Sequence, residues 1–267
     1  MNLPWQRVWI TGAGRGIGRA LARLLAEQGA QVYVSSRTLP ELQALAEECQ
    51  GLAGRIVPVA MDITDLEQVR ECWRQWQTNQ GPPELVVLNA GTHQPVSAQQ
   101  FSADICQNLW RVNLQGTVNC LEPALQQMLA DQRGQIAVMA SVAGYRGLPT
   151  ASVYGASKAA LINMCEALRL DLTGSGVKLQ VINPGFVRTP LTDQNRFPMP
   201  CLMEPEVAAQ RILKGLLSNR FEITFPRRFT YCLKLLRLLP YRLYLGLIAR
   251  TVVPEKPAQR HNNESTG

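Results

Sequence analysis

Seven short runs rich in β-branched and apolar residues recur along the chain, each separated from the next by a longer stretch. The runs are RVWIT (7–11), QVYVSSR (31–37), RIVPVAMD (55–62), ELVVLNAG (84–91), GQIAVMAS (134–141), KLQVINPG (178–185) and FEITFP (221–226). Between them, helical periodicity covers 16–28, 40–49, a segment opening at TDLE (64–67), a long helix through Asn113 and Leu125, 152–172 and 205–218. A strand that returns parallel to its predecessor needs a crossover, and a helix supplies it. The alternation therefore predicts a doubly wound α/β architecture, a parallel seven-stranded sheet with helices on both faces. Continuous apolar strands agree, because parallel strands are buried on both sides. Thr64 and Glu67 have capping-box spacing and predict that helix start.

The 267 residues are 46% hydrophobic, enough for one sizeable core. No run approaches the ~18 apolar residues of a membrane-spanning helix, and the first residues lack the basic-then-apolar order of a secretory signal; a cytoplasmic location is the expectation. Seven cysteines without a C-x-x-C pair, and only two histidines, His93 and His261, predict reduced thiols and no metal site. The net charge of +7 is concentrated near the C-terminus, where Arg220, Arg227, Arg228, Lys234, Arg237, Arg242 and Arg250 face a single acid, Glu222.

WITGAGRGIG (9–18) places a glycine turn between the first strand and first helix, where backbone N–H groups and a helix N-terminus can approach a pyrophosphate. The general G-x-G-x-x-G spacing fails, since Ile17 stands where the last glycine belongs. T-G-x-x-x-G-x-G fits instead, with Thr11, Gly12, Gly16 and Gly18, and leaves Gly14 as a permissive extra.

With that turn, the chain resembles the short-chain dehydrogenase/reductase family. Asp62 in MDIT, NAG at 89–91, Asn113 in VNLQGT, Ser141, YGASK at 154–158 and NPGFVRTP at 183–190 each match a family motif in order, over roughly the first 225 residues. The resemblance implies a Rossmann-type domain over 1–226 that interconverts a ketone and a secondary alcohol with a nicotinamide cofactor. It assigns the turn, Ile17 included, to the cofactor's phosphates, Asp62 and Ile63 to the adenine pocket, and Asn89, Ala90 and Gly91 to the cofactor wall. Pro184, Gly185, Val187 and Thr189 fall at the nicotinamide end. For Asp62 and Asn89, stabilisation of strand-end turns is an equal alternative.

At the end of the second strand, VSSR carries no acid to accept the ribose hydroxyls of NAD. Ser36 leaves room for a 2′-phosphate and Arg37 offers a planar fork to bind one, with Arg15 near the same phosphate in family members that use NADP. NADP(H) is the expected cofactor.

Tyr154 and Lys158 stand four apart on a predicted helix, hence on one face. An ammonium beside a phenol favours the phenolate, so the tyrosine pKa is expected to fall toward neutrality. The resemblance makes Tyr154 the acid/base, lets Lys158 hold the nicotinamide ribose, gives Ser141 a hydrogen bond to the substrate oxygen, and lets Asn113 keep a water against the lysine. His93, after the NAG turn, reads as a loop residue.

Phe197, Met199, Leu202, Met203, Tyr145 and Leu148 are candidates to line an apolar substrate pocket for a lipophilic ketone of steroid, 3-ketosphingoid or 3-oxoacyl type. Residues 227–253 read as two short helices broken at Pro240, with Arg227, Thr230, Lys234 and Arg237 on one face of the first. This C-terminal helical extension suits an anionic membrane surface, or else packing over the cleft or a partner subunit; residues 254–267 read as a disordered tail. A homodimer through the helices around 102–130 and 152–172 is what the family resemblance implies, and no nucleic-acid partner is expected. The rival functions are an NADP(H) sensor without turnover and a membrane-surface binding protein.

Overall fold

The computed structural model describes residues 3–194 and 199–251. Its elements run β1 (Arg7–Thr11), α1 (Gly16–Glu27), β2 (Gln31–Ser36), α2 (Leu39–Glu48), β3 (Arg55–Ala60), α3 (Leu66–Asn79), β4 (Leu85–Leu88), α4 (Ala103–Trp110) and α5 (Gly116–Ala130). They continue with β5 (Gly134–Met139), α6 (Ser152–Asp171), β6 (Val177–Pro184), α7 (Pro205–Leu216), β7 (Glu222–Phe225), α8 (Arg227–Arg237) and α9 (Tyr241–Thr251). Among the described residues the strands form one parallel sheet in the order β3-β2-β1-β4-β5-β6-β7, the Rossmann-type doubly wound arrangement expected. The winding reverses between β1 and β4, and such a reversal leaves a crevice at the carboxyl ends of the strands.

Strand residues alternate between two cores. Val8, Ile10, Val32 and Val34 pack against Leu21 and Leu25 of α1, Leu42 of α2 and Ile212 of α7. On the opposite face Trp9, Tyr33 and Val86 meet Trp73 and Trp76 of α3, Cys120 of α5 and Leu161 of α6. Trp9 lies 5.1 Å from Trp76 and 6.0 Å from Trp73 between ring centroids, contacts of about 0.5–1.5 kcal/mol each beyond burial. Its indole N–H donates to Ser35 Oγ at 3.0 Å, which satisfies the one polar atom this ring takes into the core.

Two local expectations need correction. Asp65, not Thr64, caps α3: its carboxylate accepts from the Gln68 N–H at 3.1 Å, while Thr64 turns back to donate through both its N–H and its hydroxyl to Asp62 at 2.9 Å. A carboxylate one residue later reaches the free helix N–H groups without giving up the turn that Thr64 closes. The long helix through Asn113 is interrupted by a π turn over Arg111–Gln115 that joins α4 to α5. Extra turns of this kind cluster at functional positions, and this one centres on Asn113.

The extension forms two helices separated at Pro240, as expected, but the facing of α8 differs. Thr230 is fully buried and Lys234 turns inward to Glu222, so the predicted polar stripe is partly the packed side. The tail, with Val252 and Val253, lies outside the described residues. No described helix is long and apolar enough to cross a membrane.

Candidate active site

A cleft of about 560 Å³ opens where the chain leaves the carboxyl ends of the first six strands. Its walls include Gly12, Gly14, Arg15, Gly16 and Ile17 after β1, Ser36 and Arg37 at the end of β2, Asp62 and Ile63 after β3, and Asn89–Thr92 after β4. Met139, Ser141, Tyr154, Lys158, Pro184, Gly185, Val187 and Thr189 complete its other end. Most residues singled out from the sequence therefore converge on one cavity, of a size ordinary for a bound organic molecule.

Gly12 and Gly16 take φ of +65° and +54°, conformations that a side chain strains, and a Cβ on Gly12 would fall 2.7 Å from Ala90 Cα. The turn is stitched to β4. Thr11 Oγ1 accepts the Asn89 and Ala90 N–H groups at 3.0 Å, and Asn89 Nδ2 donates to the Thr11 and Gly12 carbonyls at 3.0 and 3.1 Å. Arg15 precedes α1 with no side chain capping the helix, so an uncapped N-terminus faces the cavity. Such a terminus, beside Arg15, suits a phosphate group.

Three assigned residues do not line the cleft. Thr11 is buried behind the turn, where its hydroxyl is spent on β4. Gly18 also sits behind it; a Cβ there would lie 2.5 Å from Asn89 Nδ2, so this glycine admits the stitch and not the ligand. Asn113 is fully buried: Oδ1 accepts the Thr92 N–H at 2.8 Å, and Nδ2 donates to the Thr92 carbonyl at 3.0 Å and Ser157 Oγ at 3.1 Å. It clamps the wall of the cleft from outside. Asp62 and Asn89 each stabilise a turn and line the cavity, so the two readings of them coexist.

Arg37 makes no ion pair among the described residues. Burial would raise the Asp62 carboxyl, but the two Thr64 hydrogen bonds and the Arg37 and Arg111 charges hold it below its ordinary value. Arg15 is engaged already: its Nε lies 2.9 Å from Glu41 Oε1, and Glu41 also borders the cleft. Sequence reasoning missed Glu41 because it belongs to α2, whose first turn folds back over the end of β2.

Ser141, Tyr154 and Lys158 meet through close backbone contact. A Cβ on Gly144 would fall 2.7 Å from the Lys158 carbonyl carbon, and one on Gly155 would fall 2.9 Å from the Ala143 oxygen. Two glycines thus let the turn after β5 lie directly on α6. Ser141 Oγ accepts the Ala143 N–H at 3.1 Å, capping that turn, and its hydroxyl also hydrogen bonds the Tyr154 phenol. Tyr154 is half-buried as a residue, yet its oxygen lies deep, and burial pushes it up to about 12 against the lowering effect of Ser141. Desolvation of the phenol itself thus reverses the expected shift, and burial also pushes Lys158 down, to about 8. Lys158 Nζ donates to the Met139 carbonyl at 2.8 Å and stands 5.6 Å from the Tyr154 ring centre.

His93 is not a bystander. Its ring packs edge-on against Tyr154 with centroids 4.6 Å apart; its place right after the NAG turn was the available signal. The proposed apolar lining fares less well. Tyr145 is buried with its hydroxyl donating to Glu222 at 2.5 Å, and Met203 packs into the core, so neither lines the cleft. Met199, Leu148 and Leu202 do not line it either, and Phe197 lies outside the described residues. Pro190, Leu191, Thr192 and Gln194 form that edge instead.

A reversal crevice holding this Ser, Tyr and Lys set defines a nucleotide-dependent oxidoreductase. The short chain dehydrogenase family model matches residues 6–198, and the chain belongs to that family. It is 36% identical to an uncharacterized oxidoreductase of Myxococcus xanthus over 243 residues, 91% of this chain and 96% of that protein. It is 30% identical to the 3-oxoacyl-[acyl-carrier-protein] reductase FabG of Thermotoga maritima over 223 residues, 80% of this chain and 91% of that one. Among solved structures, a 3-oxoacyl-[acyl-carrier protein] reductase of Brucella melitensis with bound NAD superposes with a TM-score of 0.70 at 28% identity, covering 82% of this chain and 89% of that one.

Proposed function

We propose that the protein reduces the carbonyl of a lipophilic ketone with NADPH, or runs the reverse oxidation, with Tyr154 as the proton-carrying group. The observation that carries this reading is the contact of the Tyr154 phenol with the Ser141 hydroxyl just after β5, with a buried Lys158 one helical turn further along α6. The positive-φ glycine turn and the uncapped N-terminus of α1 fit a pyrophosphate.

Bound NADPH supplies the hydride. A phenol with pKa about 12 is protonated at neutral pH, so Tyr154 stands ready to give its proton to the developing alkoxide. Ser141 donates a hydrogen bond to the same oxygen without adding charge. Lys158, held by the Met139 carbonyl, is charged below pH about 8; it steadies the phenolate left behind and binds the ribose hydroxyls. Asn113 fixes Thr92, and with it the wall beside Gly91.

The NADP preference is supported by Ser36 and Arg37, with no acid at the strand end and Arg37 in no ion pair among the described residues. Likeness to two 3-oxoacyl-carrier-protein reductases favours a 3-oxoacyl compound among the lipophilic ketones. Exposed Phe101, Trp110, Val118 and Leu170 on or beside α4, α5 and α6 favour a homodimer through those helices.

The test is NADPH consumption with a panel of 3-oxoacyl thioesters and other ketones, for the native chain and Tyr154→Phe. Turnover is expected to fall roughly 10²–10⁴-fold in the variant, while NADPH binding followed by nucleotide fluorescence stays unchanged. Equal turnover in both proteins overturns the mechanism.

A further inference from the structure

Seven of the fourteen exposed large apolar side chains among the described residues lie between Tyr231 and Leu247, on α8, α9 and the turn that joins them, so the apolar exposure is concentrated and not scattered. Leu235 is 68% exposed, Leu238 78%, Tyr241 76% and Leu245 59%. A folded chain rarely leaves so many leucines in water within two short helices unless something covers them.

The helices are nevertheless firmly placed. Phe229 and Leu233 of α8 pack into the core beside β6, and Lys234 reaches back to Glu222. Arg146, five residues after Ser141, donates to the Leu236 and Leu239 carbonyls at 3.0 and 2.7 Å at the end of α8, and stacks on Tyr244 of α9 at 4.0 Å. Tyr244 then donates its hydroxyl to the Gly147 carbonyl at 2.8 Å. With their inner sides anchored to the turn that carries Ser141, these helices present leucine outward by construction.

Charge selects what covers them. Residues 220–250 hold seven cations and one acid, Glu222, and that acid is already paired with Lys234. Arg228 and Arg242 are exposed beside the leucines. A second copy pressed face to face on this surface would bring like charges together. A bilayer with anionic headgroups meets both requirements: acyl chains for the leucines, phosphates for the arginines, and an interfacial level suited to Tyr231 and Tyr241. Each helix has 11 residues and thus a length of only ~16 Å, so neither spans a ~30 Å hydrocarbon core.

We infer that the outward face of α8 and α9 docks the protein on an anionic membrane surface. The membrane-bound face shares the Arg146 turn with the active site, which places the cleft close to the lipid.

Flotation of the full chain is measured with neutral phosphatidylcholine vesicles and with vesicles containing one third phosphatidylglycerol. The native chain is expected to float with the anionic vesicles at least tenfold better than with the neutral ones, and to be released by high salt. The triple variant Leu235→Gln, Leu238→Gln, Leu245→Gln and the double variant Arg228→Gln, Arg242→Gln are each expected to lose tenfold or more. Circular dichroism and light scattering establish that the variants are folded and report their mass. Native protein that stays with neither vesicle overturns the inference. So does a leucine variant that floats as the native chain does, or one whose only change is a smaller oligomer, which would assign the face to a second copy.

Discussion

Lys158 Nζ donates to the Met139 carbonyl at 2.8 Å with the lysine 3% exposed, so a strand end holds an ammonium group almost wholly out of water. Burial pushes that lysine down from 10.5 to about 8, a shift that corresponds to about 3 kcal/mol of destabilisation of the charged form. The folded chain therefore carries fewer protons than the unfolded chain between pH 8 and 10.5. Lys158→Met is expected to raise the melting temperature by several degrees at pH 7, the unpaired Met139 carbonyl offsetting about 1 kcal/mol of the gain. The advantage should shrink from pH 8 upward and vanish near 10.5; a variant less stable than the native chain at pH 7 contradicts this.

The same titration bears on catalysis. If charged Lys158 steadies the phenolate, kcat/KM for ketone reduction falls above pH about 8, while the Tyr154 phenol remains protonated up to about 12. A pH–rate profile flat from 7 to 10 removes the lysine charge from the mechanism.

Gly144 controls the approach of Ser141 to Tyr154, since a Cβ there would sit 2.7 Å from the backbone of Lys158. Gly144→Ala is expected to lift the turn off α6 and lower kcat about 10- to 100-fold. NADPH affinity should change much less. Equal losses in both would mean that the turn shapes the cofactor site rather than the reacting groups.

Glu41 occupies Arg15, so it competes with any 2′-phosphate for that guanidinium. Glu41→Gln is expected to tighten NADPH binding several-fold in low salt and leave NADH unchanged, and Arg37→Asp is expected to shift preference toward NADH. Calorimetric titration with both nucleotides measures each variant. Unaltered NADPH affinity in both variants would place the selectivity elsewhere.

Glu222 ties the extension to the sheet. Burial would raise its carboxyl, but bonds from Lys234, Tyr145 and Asn183 bring it below the ordinary carboxylate range. A depressed folded pKa stabilises above the unfolded value and is lost as pH falls through the folded one. Glu222→Gln should therefore cost roughly 1–3 kcal/mol near pH 7, and the gap should close only as pH falls below 4.5 and through the lower folded value. Thermal unfolding of both proteins from pH 7 to pH 3 would show it, and a constant gap would mean that shape, not charge, is what matters.

The order of strands and helices, the glycine turn, and the Ser141, Tyr154 and Lys158 set were readable because each rests on a local rule: crossover connection, positive φ, and residues one helical turn apart. Thr11, Gly18 and Asn113 belong to the same motifs yet stand behind the cleft, since a motif records which residues must be present and not which surface they face. Glu41 and His93 carry no motif, and their relevance arises only when α2 and the loop after β4 fold back toward the cofactor turn and Tyr154.

What the sequence determined by itself is therefore the doubly wound sheet and the set of residues, Ser141, Tyr154 and Lys158, that we propose as its reacting groups, because periodicity and turn chemistry act over a few residues. Tertiary structure decided the rest. Desolvation, which depends on everything packed around an atom, sent the Tyr154 phenol up where proximity to an ammonium had predicted down. Packing against β7 and Arg146 turned the leucines of α8 and α9 outward, a facing that the helical pattern alone left open.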